Sequence, residues 1–193
     1  MLKKKDFLET INALLMVIDG KDHYTMYHSL EVMDYAHAFA KELGLPRKER
    51  EVIRTAGLFH DIGKIAVPDA ILNKPGRLTA EEFERIKQHP VEGAKIIGQV
   101  RFLEPVLEMV LSHHERLDGS GYPAGKKAEG LGLGTRILAI ADVYSALITD
   151  RPYRPAFSRG QAGKVLLGMM EELDQSLVEV FVSRVIRERS GVS

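Results

Sequence analysis

Glu51-Val52-Ile53-Arg54-Thr55-Ala56-Gly57-Leu58-Phe59-His60-Asp61-Ile62-Gly63-Lys64 decides how this chain is read. Its apolar side chains Val52, Ile53, Ala56 and Phe59 recur at three- and four-residue steps, the spacing of a helix face. The spacing predicts a helix over residues 47–62. That helix delivers an imidazole and a carboxylate, His60 and Asp61, to its C-terminal end, directly before Gly63 and Lys64.

The same periodicity extends in both directions. Phe7, Ile11, Leu14, Leu15 and Ile18 predict an amphipathic helix over 6–19, and a second runs over about 25–43, stopped by Gly44 and Pro46. Pro68, Pro75 and Gly76 mark an irregular connection. Thr79 with Glu82 is a capping box opening a short helix toward His89. Pro90 restarts the chain, with helices expected over 91–99 and 102–114. Residues 115–134 hold six glycines and Pro123, so a long loop is expected there, of a length that usually serves function. Helices follow over 135–149, over 159–172 behind a Ser158–Gln161 capping box, and over 174–189. No strand, repeat or linker is apparent. The reading is an all-α fold and one domain over 1–193.

Lys+Arg and Asp+Glu both number 27, which argues against coating a nucleic-acid polymer. There is no cysteine, so any metal must be held by nitrogen and oxygen. Asp6, Glu9 and Asn12 interrupt the N-terminal stretch before any apolar signal core forms, and no apolar run approaches the roughly 20 residues of a membrane span. A soluble, cytoplasmic protein without a membrane association is expected.

Seven histidines are present. His60-Asp61 and His113-His114 are adjacent pairs at predicted helix ends, and adjacent helical residues point about 100° apart. Each pair can therefore address two ions, or an ion and a substrate. Asp142, directly after the apolar run from Ile137 to Ala141, would be a costly buried charge without a cation. Each histidine alone also reads as an ordinary core or surface residue, and Arg136 is an alternative partner for Asp142. Spacing alone leaves both readings open.

His60-Asp61-Ile62-Gly63-Lys64 resembles the HD signature, and His113-His114-Glu115-Arg116-Leu117-Asp118-Gly119-Ser120-Gly121-Tyr122-Pro123 resembles the long second signature of the HD-GYP family. Further similarities occur in the family's order at Lys21–Ser29, His89–Gly93, Ala141–Tyr144 and Asp150–Arg154, covering roughly residues 20–180. The resemblance implies an HD-domain helical bundle with a glycine-rich GYP loop, hydrolysing cyclic di-GMP to linear pGpG and onward to GMP in a slower turn. It implies two divalent metal ions, iron or manganese, held by His28, His60, Asp61, His89, His113, His114 and Asp142, with Asp61 the bridge. Family members with a third metal carry a glutamate where this chain has Tyr24, a poor ligand at neutral pH. Two ions are therefore expected.

The resemblance further places Lys64 on a substrate phosphate and gives it a catalytic role beside Asp61. Gly121, Tyr122 and Pro123 would shape the cleft, with Tyr122 stacking on a guanine or pinning the loop. Arg151 and Arg154 would contact phosphate or base, a salt-bridge role being the alternative for Arg154. Glu115 would orient a ligand histidine or cap a helix. The family's Val-Tyr-Asp-Ala-Leu run reads Val143-Tyr144-Ser145-Ala146-Leu147 here. Ser145 is accordingly taken as a substrate-side residue that puts base preference in question. His23 and His37 match no ligand position. A mixed cyclic GMP-AMP substrate and a non-hydrolytic, dinucleotide- or protein-binding signalling module are the rival readings.

In such a centre the metals should dominate catalysis. Lowering a water's pKa from about 15.7 to about 7 favours its hydroxide form by on the order of 12 kcal/mol. A positioned general acid or base contributes roughly 3–5 kcal/mol.

Overall fold

Phe39, Phe59, Tyr144 and Phe181, all fully buried, come from four separate helical stretches and meet in one apolar cluster. The structure, a computed structural model, describes residues 4–150 and 155–186; the side chains of 4–8, 10, 18, 23 and 24 lie outside that description. Arg151 and Arg154, and the side chains of His23 and Tyr24, are thus outside the described residues.

The described chain is helical. Its α-helices are α1 (Lys4–Lys21), α2 (His23–Glu42), α3 (Arg47–Phe59), α4 (Asp69–Leu72), α5 (Ala80–Ile86), α6 (His89–Ile97), α7 (Leu107–Ser112), α8 (Leu133–Ile148), α9 (Arg159–Gly168) and α10 (Gln175–Val180). No strand occurs among the described residues, only an isolated bridge between Asp118 and Lys127. The all-α expectation holds. No helix among the described residues is long and apolar enough to cross a membrane.

Departures from the expected boundaries have local causes. Pro90 restarts the chain as expected, in the first turn of α6, where its missing N–H breaks no hydrogen bond; that helix begins at His89, two residues before the expected start. The helix expected over 102–114 divides at Pro105 into a 3-10 segment, Arg101–Val106, and α7. The tail is α10 followed by a π segment, Phe181–Ile186. α9 stops at Gly168, earlier than expected, and α4 forms where only an irregular connection was expected. Both capping boxes are present.

The helices α2, α3 and α8 pack together, and their facing sides carry His28, His60 and Asp142. Beyond Asp61 the chain tightens into a 3-10 turn, Ile62–Ala66, that lies against α6. Gly63 makes this approach possible. A Cβ there would overlap the His89 carbonyl and the Gly93 nitrogen, so only glycine lets the turn bring Asp61 against His89.

Candidate metal centre

The structure brings all seven expected donors together. His28 and Asp142 come from α2 and α8; His60 and Asp61 follow α3; His89 opens α6; His113 and His114 follow α7. His28, His60, Asp61, His89, His113 and Asp142 are buried, and His114 is partly exposed. The donors fall into two groups. One donor atom from each of Asp61, His89, His113 and His114 lies within 4.8 Å of the others, and the same holds for His28, His60 and Asp142.

Asp61 stands between the groups. Its Oδ1 is 3.2 Å from His89 Nε2, while its Oδ2 is 3.3 Å from His60 Nε2 and 4.0 Å from His28 Nε2. Asp142 Oδ1 lies 2.9 Å from His28 Nε2 and 3.8 Å from His60 Nε2, and its Oδ2 is 3.8 Å from His114 Nδ1. The alternative partner for Asp142 is excluded. Arg136 donates to Asp174 at 2.9 Å and to the carbonyls of Leu131 and Ala128.

The outer ring nitrogens show how the imidazoles are set. Nδ1 of His60, His89 and His113 donates to the carbonyl three residues back, at Gly57 (2.8 Å), Ile86 (2.7 Å) and Val110 (2.8 Å). A donating Nδ1–H fixes the tautomer and leaves a lone pair on Nε2, the form a metal takes. His60 Nε2 and Asp61 Oδ1 are both buried without a hydrogen-bond partner. Buried polar atoms seldom remain unpaired, so aligned orphans of this kind suit a cation. By donor chemistry and by these orphaned atoms, the residues fit divalent metal.

Electrostatics agree. Burial alone would raise the Asp61 carboxyl, but Lys64 and His60 outweigh it and hold it well below the ordinary carboxylate range. Burial is likewise overcome at Asp142 by His28, whose Nε2 lies 2.9 Å away, and by His60 and His114. Burial pushes His113 well below the ordinary imidazole value, helped by its neighbours His114, His60 and His89; it pushes His114 down to about 3. At His60 burial is outweighed by Asp61, and the pKa rises. The centre sets two carboxylates held ionised against imidazoles of which His113 and His114 are held neutral, which is a cation's environment.

Residues expected at the substrate side divide. Lys64 Nζ donates to Asp61 Oδ2 at 2.7 Å and is 21 % exposed, so it borders both the donors and the solvent. The Tyr122 ring lies over His114, centroids 4.7 Å apart and planes 31° apart, which favours the pinning role. Gly121 is a packing position. A Cβ there would collide with the backbone of His114, Glu115 and Arg116. Pro123 is exposed and follows a cis peptide bond.

Two expectations are corrected. Ser145 does not face the cleft: it is fully buried behind His28, whose Nδ1 lies 3.0 Å from its Oγ. Its α8 position, three residues after Asp142, turns it toward α2. Glu115 contacts no ligand histidine. It is buried and accepts the backbone N–H groups of Ala124 and Lys126 at 2.7 and 2.9 Å, closing the glycine-rich loop on itself. His37 lies outside the cluster, 3.6 Å from Glu51. Sequence reasoning missed Glu31, which accepts from Ser145 Oγ at 3.0 Å. Its spacing of three residues from His28 was the available signal.

Comparison with known proteins follows the same lines. A family model described as "HD domain" matches residues 12–177. A cyclic di-GMP phosphodiesterase of Pseudomonas aeruginosa is 41% identical over 90% of this chain and 43% of its own length. A 3'3'-cGAMP-specific phosphodiesterase of Vibrio cholerae is 38% identical over 88% of this chain and 40% of its own. The chain thus spans about two-fifths of the length of these curated relatives. Among solved structures, the HD domain of the Listeria monocytogenes phosphodiesterase PgpH, in complex with cyclic-di-AMP, superposes with a TM-score of 0.72. It is 19% identical, over 93% of this chain and 96% of that one.

Proposed function

Because the chain belongs to the HD-domain family, with a signature of the HD-GYP type at His113–Pro123, we propose that it is a cyclic-dinucleotide phosphodiesterase. In this reading it opens cyclic di-GMP to linear pGpG at a centre of two divalent cations, iron or manganese. The observation that carries the reading is the position of Asp61, one carboxylate oxygen turned to each donor group.

Bound there, two divalent ions would neutralise phosphate charge and lower the pKa of a water toward neutrality. The protein's own groups do the rest. His28, His60 and Asp142 form one set of ligands, His89, His113 and His114 the other, and Asp61 serves both. Lys64 spends one of its three N–H donors on Asp61 and offers the others to a phosphate oxygen at the cleft margin. Tyr122, seated on the His114 ring, fixes the rim of the glycine-rich loop. With Ser145 buried, its departure from the family pattern bears on His28 rather than on base preference. The described residues share one core, and the chain is read as one domain.

The test is an anaerobic assay of the protein loaded with ferrous or manganous ion, with cyclic di-GMP as substrate and products separated by chromatography. Formation of pGpG is expected, at a rate at least about 10³-fold above a His60→Ala, Asp61→Ala variant. Equal turnover by the two proteins overturns the assignment. Similarity to the cGAMP-specific relative supports a second substrate, mixed cyclic GMP-AMP, and competition between the two dinucleotides ranks them.

A further inference from the structure

His28 is held differently from three of its fellow donors. His60, His89 and His113 rest their Nδ1 atoms on backbone carbonyls, whereas His28 Nδ1 meets a side chain, Ser145 Oγ, at 3.0 Å. The Ser145 hydroxyl in turn donates to Glu31 Oε2 at 3.0 Å. A hydroxyl has one proton, so with that proton given to Glu31 the serine oxygen can only accept, and His28 must donate from Nδ1. His28 Nε2 is then the atom directed at Asp142, 2.9 Å away.

The geometry closes on itself. Glu31 follows His28 by three residues on α2, and Ser145 follows Asp142 by three on α8, so each pair shares a helix face. His28 faces Asp142 and Ser145; Glu31 faces Ser145 and Thr149, whose hydroxyl lies 3.0 Å away. The two helices are clasped by side chains in matched order.

We propose that Glu31 is a positioning residue that acts through the Ser145 hydroxyl to hold His28 as its Nδ1–H tautomer, and so sets the cation affinity of the His28–His60–Asp142 group independently of the other. A carbonyl-held imidazole is fixed by the backbone; this one is fixed by two replaceable side chains. Removing such a support behind a ligand histidine typically costs 10–100-fold in metal affinity. The inference rests on the two-cation reading above.

The experiment is a Mn²⁺ titration of the metal-free protein by calorimetry, for wild type and the Glu31→Gln, Ser145→Ala, doubly substituted and Thr149→Val proteins. Two binding events are expected in wild type. In Ser145→Ala one event should weaken roughly 10–100-fold and the other by less than about twofold. Glu31→Gln should weaken the same event, and the double variant should be no worse than Ser145→Ala, because both act on one chain of hydrogen bonds. Thr149→Val, which touches Glu31 but not His28, should leave both events in place. Two wild-type events that neither substitution alters would overturn the relay and leave the two-cation reading standing. Absence of Mn²⁺ binding in wild type would sink the two-cation reading, and the relay is then judged on ¹⁵N-histidine spectra at alkaline pH. A His28 Nδ1–H signature that is lost in Ser145→Ala upholds it; a signature that does not change overturns it.

Discussion

His89 Nε2 and His113 Nε2 face each other across 3.2 Å, while the Nδ1 of each ring is committed to a backbone carbonyl. With both outer nitrogens donating, two lone pairs point at one another. That arrangement is repulsive between neutral rings and favourable around a shared positive charge.

Divalent cation should therefore stabilise the protein strongly. At a concentration about a hundredfold above Kd, binding adds about 2.7 kcal/mol. For a chain of this size that is a rise in Tm of about 5–10 °C. Melts with Mn²⁺ and with EDTA measure it, and a His113→Ala variant should lose most of the difference.

The metal-free protein should be labile to acid. His113 and His114 have folded pKa values below the ordinary 6.5, that of His114 about 3, so the unfolded chain takes up their protons first as pH falls. Their contribution is complete above about pH 6.5 and is lost on descending from there toward the folded values. Asp61 and Asp142, also held down, add a further loss at lower pH. His60 runs the other way: its raised pKa contributes fully below about 6.5 and is lost as pH rises through its folded value. Urea midpoints should accordingly fall between about pH 7 and about pH 5, and the fall should shrink in a His113→Asn, His114→Asn protein.

Two glycines should be intolerant of a single methyl. Gly63→Ala and Gly121→Ala each push a Cβ into backbone atoms, at His89 and Gly93 in one case and at His114 to Arg116 in the other. Losses of about 3 kcal/mol or more are expected, at the upper end of overpacking costs. Gly132→Ala, where nothing lies within 4 Å, should be neutral to within about 0.5 kcal/mol. Denaturant unfolding of the three variants compares them.

Glu115→Ala should open the glycine-rich loop rather than empty the metal centre. It strands two backbone N–H groups, those of Ala124 and Lys126, that now bond a buried carboxylate. Bonds to charged groups are worth about 1.5–3 kcal/mol each, so a loss of about 3–6 kcal/mol follows from the two, with Mn²⁺ affinity changed by less than about tenfold. Faster amide exchange confined to about residues 116–127 is the accompanying signature.

Much of this was legible in the chain because periodicity and capping are local. Val52, Ile53, Ala56 and Phe59 announce α3, and the Thr79–Glu82 and Ser158–Gln161 boxes place two helix starts correctly. The adjacent His60-Asp61 and His113-His114 pairs mark the site in the sequence itself. What escaped is what depends on the rotation of one helix against another. Ser145 reads as a cleft residue in the sequence because order alone does not say which face of α8 meets α2, and Arg136 reads as a partner for Asp142 although it reaches Asp174 instead.

The Glu115 knot gives the molecule a division of labour along a few consecutive residues. His113 and His114 are set by α7, and the carboxylate next to them ties off the turn at Ala124 and Lys126. Between those ties Asp118 accepts the Ser120 N–H and hydroxyl at 2.9 and 2.7 Å, so the turn is braced from within while the two histidines keep their places at the end of α7. Loosening the loop is therefore a local event, separable from the setting of the imidazoles.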